Sequence, residues 1–198
     1  SRTNPSTAII PSTPATKGLI SISAISSEYF QRKSDRDTSP FISASRLTGG
    51  EPLVRNQIHE LVGMLATVGG INDLTMTTNG YLLPKYAELL KKSGLHRVTI
   101  SLDTLDDAIF RRMNGREFGV SSVLAGIKAA EDSDLTPIKI NSVVQRGVNE
   151  DTVVDLARHF QGSDHIVRFI EFMDVGTLNN WRMDAVVPAA EIISMIND

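Results

Sequence analysis

The chain has 198 residues, a formal net charge of -3 and no cysteine. Without cysteine it contains no disulfide, no catalytic thiol and no thiolate ligand for zinc or an iron–sulfur cluster. The slightly acidic balance gives no basic footprint for nucleic acid, and no apolar run reaches the roughly 20 residues of a membrane span. The composition, 41% hydrophobic and 22% charged, is typical of one soluble globular domain.

Residues 1–45 differ in composition from the rest of the chain. They are rich in serine, threonine and proline, and only the alternating run 18–25 predicts a strand. We expect an irregular or leader-like segment, and both a transit peptide and a plain disordered tail stay open. A transit peptide implies an organelle matrix, whereas a bacterial chain implies the cytoplasm. The chain opens with Ser1 rather than Met, so we expect a fragment or a processed product.

From residue 46 to residue 198, apolar strand patterns alternate with helical patterns. A helix is predicted from Ile58, another from Pro84, and a third after Asp103, which we expect to be its N-cap. Strands separated by helices form right-handed βαβ units with a mainly parallel sheet. The pattern therefore predicts an α/β fold, an incomplete TIM-like barrel of about five to six βα units. The strands are predicted at 46–48, 74–78, 98–102, 138–144 and 167–172.

Polar residues cluster where each predicted strand ends, which is where parallel α/β folds bind ligands. The segment 46–55 combines a short strand, Gly49 and Gly50, the acid Glu51 and a following helix. This order predicts a binding loop, and a tight turn with an incidental acid is the alternative. Lys139 interrupts an apolar strand and points away from its neighbours, so its ammonium predicts an anionic ligand. A partly exposed lysine paired with a nearby acid is the alternative there.

Five ordered motifs carry a resemblance to a known family. They are Arg46-Leu-Thr-Gly-Gly-Glu-Pro-Leu, Thr77-Thr-Asn-Gly80, Val98-Thr-Ile-Ser-Leu-Asp103, Pro137-Ile-Lys-Ile-Asn141 with Arg146-Gly-Val-Asn149, and Val167-Arg-Phe-Ile-Glu-Phe-Met-Asp-Val-Gly176. In this order and spacing the chain closely resembles the radical S-adenosylmethionine (SAM) GTP 3',8-cyclases, the lyases of the first step of molybdenum cofactor biosynthesis. The resemblance covers residues 46–198 and implies a barrel of the radical SAM type.

The resemblance also implies ligands and site residues. It places four residues at SAM, namely Gly50, Glu51, Ser101 and Met173, and three at GTP, namely Arg46, Thr77 and Lys139. A helix-capping hydroxyl is the alternative for Ser101, and core packing is the alternative for Met173. The family uses SAM and two 4Fe–4S clusters, and it implies a homodimer as a further expectation.

One departure from the family limits what the resemblance implies about activity. The family holds a cluster with a Cys-x-x-x-Cys-x-x-Cys loop, and nothing before Arg46 matches it. We therefore expect no cluster, no metal site and no turnover from this chain by itself. A non-catalytic remnant that binds a nucleotide or SAM is the alternative. A third function, a Schiff-base aldolase using Lys139, fits the ordered motifs poorly.

Overall fold

Apolar strands and amphipathic helices alternate along the chain. The computed structural model describes residues 8–10, 19–23, 44–173 and 183–197, and for the first two ranges it gives the backbone only. The described residues divide into two compact units. The first unit contains those within 27–101 and 121–138, and the second contains those within 1–26, 102–120 and 139–198.

Regular structure occupies most of the described residues from 44 onward. The strands are β1 (Ala8–Ile10), β2 (Leu19–Ser23), β3 (Ala44–Leu47), β4 (Asp73–Thr78), β5 (Arg97–Ser101), β6 (Lys139–Val144) and β7 (Ile166–Glu171). The α-helices are α1 (Ile58–Ala66), α2 (Leu83–Lys92), α3 (Asp107–Asn114), α4 (Val120–Asp132), α5 (Val153–His159) and α6 (Ala189–Asn197). Short 3-10 helices lie at Pro52–Val54, Glu150–Thr152 and Met183–Ala185.

In the first unit, β3, β4 and β5 lie side by side and run parallel. The central apolar residues of β4 and β5 are at most 1% exposed, because parallel strands are covered on both faces. The helix α2 buries Leu83, Ala87 and Leu90, which repeat at the spacing of one helical face. The carboxyl ends of these three strands therefore lie next to one another at one edge of the sheet.

The turn after β4 is in close contact with α4. Gly80 has a positive φ of +81°, which a glycine adopts without strain. A Cβ added at Gly126 of α4 would lie 2.1 Å from the carbonyl oxygen of Gly80. Because a side chain at position 126 would collide with the backbone of the turn, the helix and the turn approach backbone to backbone.

In the second unit, β6 and β7 run parallel, and β2 runs parallel along the other side of β7. The strand β1 is antiparallel to β2. The helix α6 is fixed to the ends of β6 and β7. The N–H of Ala189 donates to Glu171 Oε1 at 2.6 Å, and Arg146 makes a two-point ion pair with Glu191 at 3.0 and 2.6 Å.

The predicted alternation is confirmed, since five strand–helix repeats follow one another from β3 to α6. The predicted strand within 18–25 is present as β2, whereas the expectation of an irregular leader falls largely outside the described residues. The division at residue 45 stays a prediction. One local prediction is wrong, because the N-cap of α3 is Asp106, whose Oδ1 accepts from the N–H of Ile109 at 2.8 Å. In the described part of the chain, no helix is long and apolar enough to cross a membrane.

Candidate functional site

The turn after β3 leaves open space beside its two glycines. A Cβ built on Gly49 or Gly50 would meet no atom of the chain within 4 Å. Packing within the described residues therefore does not require glycine at either position. Open space beside an exposed backbone is what a ligand needs in order to reach the main-chain amides.

The carboxylate of Glu51 is held by three donors of the first unit. Oε1 accepts from the N–H of Leu53 at 3.0 Å and from Thr78 Oγ1 at 2.8 Å, and Oε2 accepts from the N–H of Asn79 at 2.7 Å. Glu51 is only 9% exposed. Its carboxylate ties the turn after β3 to the end of β4, and of its roughly four acceptor positions one remains, on Oε2. The predicted contact of Glu51 with the ammonium of SAM could use only this remaining position. Sequence analysis did not predict that Glu51 holds the turn to β4.

Three candidate residues share one face at the carboxyl ends of β3, β4 and β5. Arg46 pairs with Thr75, and Thr77 pairs with Thr99. Paired residues on parallel strands, and residues two apart on one strand, point to the same face, so Arg46, Thr77 and Ser101 do so. Arg46 is exposed, and the other two are half-buried. We call this group the strand-end face.

Ser101 does not cap the helix that follows it. The N-cap of α3 is Asp106, five residues further along, so the capping alternative for Ser101 is wrong. Its hydroxyl lies at the last residue of β5, where it faces the same side as Thr77. This position is compatible with a ligand contact.

The two candidates in the second unit are placed differently. Lys139 is the first residue of β6 and pairs with Ile166, close to where the predicted strand 138–144 put it, so its contact with GTP stays a prediction. It is half-buried, between Ile138 and Ile140, which are both fully buried. Met173 lies two residues beyond β7 and is 41% exposed, so the core-packing alternative for this methionine is wrong.

A network around Asp103 and Asn149 was not found by sequence analysis. Asn149 is 1% exposed, and its Nδ2 donates to the carbonyl oxygens of Asp103 at 2.8 Å and Val143 at 2.9 Å. Its Oδ1 accepts from the N–H of Gln145 at 2.8 Å. The side-chain amide therefore uses both of its N–H donors and one acceptor position of Oδ1, and it fixes the turn after β6. The asparagine that ends the Arg146-Gly-Val-Asn149 motif was the only signal in the sequence.

The carboxylate and the backbone carbonyl of Asp103 accept hydrogen bonds from different groups. Its Oδ1 accepts from the N–H of Val143 at 2.8 Å, while the carbonyl oxygen accepts from Ser142 Oγ and from Asn149. Burial raises the pKa of the Asp103 carboxyl above its ordinary value of 3.8, and the hydrogen bond from Val143 offsets part of that rise. The chain thus holds this carboxylate in place but stabilises its charge only in part.

The donor set does not fit an iron–sulfur cluster. Such clusters are held by cysteine thiolates, and the sequence has none. Within the described ranges, no group of three or more histidine, aspartate and glutamate side chains is placed to hold a metal ion.

Comparison with known proteins gives consistent matches. The sequence pattern of the Radical SAM superfamily matches residues 24–160. A GTP 3',8-cyclase of Xanthomonas axonopodis pv. citri is 50% identical over 156 residues, which cover 79% of this chain and 47% of the relative. A GTP 3',8-cyclase of Acidothermus cellulolyticus is 52% identical over 152 residues, covering 77% and 42%. The chain spans about half the length of the curated relatives it matches.

The fold is similar to that of solved structures. A radical SAM methyltransferase from Sphaerobacter thermophilus matches with a TM-score of 0.59 at 14% identity, covering 78% of this chain and 48% of that one. At this identity the likeness concerns the fold alone. It extends over most of the residues that carry the strand–helix repeats.

Proposed function

This chain belongs to the radical SAM superfamily, and on that premise we propose that it is the nucleotide-binding core of a GTP 3',8-cyclase. The predicted incomplete barrel of the radical SAM type and the predicted kinship with these cyclases are confirmed. The proposed ligands are SAM and GTP, and the proposed process is molybdenum cofactor biosynthesis.

The observation that carries the proposal is the strand-end face. Arg46 supplies a permanent cation, and Thr77 and Ser101 supply hydroxyls, all on one face and at one end of three parallel strands. An arginine binds a phosphate through paired N–H donors, and hydroxyls hydrogen-bond to sugar or phosphate oxygens. In this proposal Arg46 and Thr77 contact GTP, and Ser101 contacts SAM.

The turn after β3 fits SAM as a ligand. The open space beside Gly50 lets the backbone approach the amino-acid part of SAM, and the remaining acceptor position of Glu51 faces one ammonium hydrogen at most. SAM supplies a sulfonium centre, which the protein has to orient. Met173 and Lys139 are proposed for SAM and GTP respectively, on the strength of their motifs.

A non-catalytic binding role for this chain by itself is the second candidate. The observation that favours it is the sequence, which contains no cysteine to ligate the cluster of the family. The aldolase alternative loses support, because the relatives that are 50% and 52% identical to this chain are GTP 3',8-cyclases. Cytoplasmic location is proposed because the relatives are bacterial, and homodimerisation stays a prediction that light scattering tests.

Ligand binding is the direct test of the proposed function. Calorimetry with GTP and with S-adenosylhomocysteine should give saturable binding by the parent chain, weakened by Ser101→Ala for S-adenosylhomocysteine and by Arg46→Ala for GTP. Asn72→Ala, an exposed residue outside the strand-end face, serves as the control. An absence of saturable binding by the parent chain to both ligands contradicts the proposal.

Iron content separates the two candidate functions. Because thiolates hold iron–sulfur clusters, anaerobic reconstitution of this chain should give no absorbance band near about 400 nm. Iron is then measured in the desalted protein, with a cysteine-containing ferredoxin as positive control for the procedure. Stoichiometric iron together with that band would contradict the binding-only role.

A further inference from the structure

His96 lies directly before β5 and is joined to Leu74 of β4 by two hydrogen bonds. The backbone N–H of His96 donates to the carbonyl oxygen of Leu74 at 2.9 Å, and the N–H of Leu74 donates to Nδ1 of the imidazole ring at 2.9 Å. The ring therefore takes the place of a backbone carbonyl as acceptor at the amino end of these two parallel strands. Both residues belong to the first unit.

This geometry selects the neutral form of the His96 ring. A backbone N–H can only donate, so Nδ1 has to carry a lone pair, and a neutral imidazole has one. In the imidazolium ion both nitrogens carry protons, and Nδ1 then has nothing with which to accept. Histidine is the side chain that ordinarily changes its charge between pH 5 and pH 8. Mild acid therefore removes the acceptor of Leu74.

The loss of this acceptor affects a buried part of the sheet. Leu74 is 0% exposed, whereas His96 is exposed, so a charged ring can reach water but the N–H of Leu74 cannot. A buried donor without a partner destabilises the folded state, by about tenfold in the unfolding equilibrium constant. Leu74 also pairs with Ser45 of β3, so the bond to His96 supports three neighbouring strands.

The charged groups on the adjoining elements are already engaged with one another. The pairs are Asp73 with Arg97, Asp134 with Lys91, and Glu88 with Lys92. Residues 61–72, which include the end of α1 beside Gly94, contain no charged side chain. Each of these carboxylates already has a lysine or an arginine as its partner, so none of them offsets the loss of the bond by attracting a charged His96.

We propose that His96 forms an acid-sensitive bond between β4 and β5, in which the neutral ring holds the N–H of Leu74 and protonation of the ring releases it. The stability of the first unit then depends on pH through this one side chain, and it is lost as the pH falls. The inference goes beyond the proposed function, because it concerns the amino ends of the strands and needs no ligand.

The experiment compares three versions of residue 96 at two pH values. Urea denaturation at pH 8 and at pH 5.5 measures the unfolding equilibrium constant of the parent chain, His96→Ala and His96→Asn. Alanine removes the acceptor at both pH values, whereas asparagine offers Oδ1 in place of Nδ1 and does not titrate. His59→Ala is the matched control, because it removes a histidine of the same unit from α1.

The expected result is a difference in stability that disappears in acid. At pH 8 the unfolding equilibrium constant of His96→Ala should exceed that of the parent by about tenfold. At pH 5.5 the two should agree within about twofold, since an ordinary histidine with a pKa of about 6.5 is then about ten times more often protonated than neutral in the unfolded chain. His96→Asn should keep its advantage over His96→Ala at both pH values. At pH 5.5 the amide of Leu74 should exchange its hydrogen about tenfold faster in the parent than in His96→Asn.

Three results would overturn the inference. They are a parent that matches His96→Ala at pH 8, a ratio of the two unfolding constants that is the same at both pH values, and an equal change of this ratio for His59→Ala. If His96→Ala does not fold, the parent and His96→Asn decide, and the same pH dependence of both would overturn the inference. Binding of GTP and S-adenosylhomocysteine enters none of these results, so the proposed function stands or falls separately.

Discussion

Glu51 and Asp103 both follow a strand of the sheet, yet their carboxylates have different surroundings. Among the residues that the structure describes, the carboxylate of Glu51 receives three hydrogen bonds, whereas the carboxylate of Asp103 receives one. Burial raises the pKa of Asp103 because its charge is stabilised only in part. The difference teaches that the number of donors supplied by the chain separates a structural acid from one that is open to a ligand.

The largest expected effect tests the structural side of this comparison. Glu51→Ala removes the acceptor of three donors, of which Leu53 and Thr78 are buried, so we expect the free energy of unfolding to fall by about 3 to 4 kcal/mol. Glu51→Gln keeps one carbonyl acceptor and should lose about half as much. Urea denaturation measures the free energy of unfolding of both variants. A loss below about 1 kcal/mol for the alanine variant would show that the hydrogen bonds of Glu51 do not stabilise the fold.

Asn149→Ala should have the next largest effect. It leaves the N–H of Gln145 and the carbonyl oxygens of Asp103 and Val143 without this partner, which should cost about 2 to 3 kcal/mol of unfolding free energy. Asn72→Ala, at an exposed position, should change it by less than about 0.5 kcal/mol. If the two variants have equal stability, the turn after β6 is fixed by its backbone alone.

Two lysine residues extend the comparison from acidic to basic side chains, and nucleotide affinity is the quantity that tests it. We expect GTP to bind the chain with a Kd on the order of 0.1 to 1 mM, and Lys139→Ala to weaken this binding by about tenfold, or about 1.4 kcal/mol. Lys92→Ala should change little, because Lys92 is exposed and pairs with Glu88 on α2. Equal effects of the two variants would leave the amino end of β6 without a part in binding.

The smallest expected effect concerns the stability of Asp103→Asn. The pKa of Asp103 is raised in the folded protein, so its contribution to stability is complete below about 3.8 and is lost as pH rises through the raised value. Asparagine does not titrate. The variant should therefore equal the parent near pH 3 and exceed it at pH 7 by about 0.5 to 1 kcal/mol. Thermal melts at the two pH values measure this, and a variant that is less stable at pH 7 would make Asp103 a structural acid like Glu51.

Much of the fold could be predicted because its signals are local. The β-branched run of β4 ends at Asn79 and Gly80, and α1 begins at Ile58, where its apolar period starts. The places of Thr77 and Ser101 near the ends of β4 and β5 followed from the two predicted strands. Each of these predictions depends on residues that are close together in sequence.

The wrong predictions share a different cause. Asp103 and Asp106 both lie a few residues before the apolar residues of α3, so the sequence alone does not distinguish which of them is the N-cap. The Oδ1 of Asp103 instead accepts from Val143, 40 residues further along the chain, and Asp106 caps the helix. The role of Glu51 depends in the same way on Thr78, 27 residues further on.

The contact between Gly80 and Gly126 limits which sequences can adopt this fold. With the helix backbone resting on the turn, residue 126 cannot grow by one methyl group unless the whole of α4 moves outward. Glycine is therefore required at position 126 by the backbone of the turn, whatever residue stands at position 80, and a library that varies position 126 should lose most of its folded members.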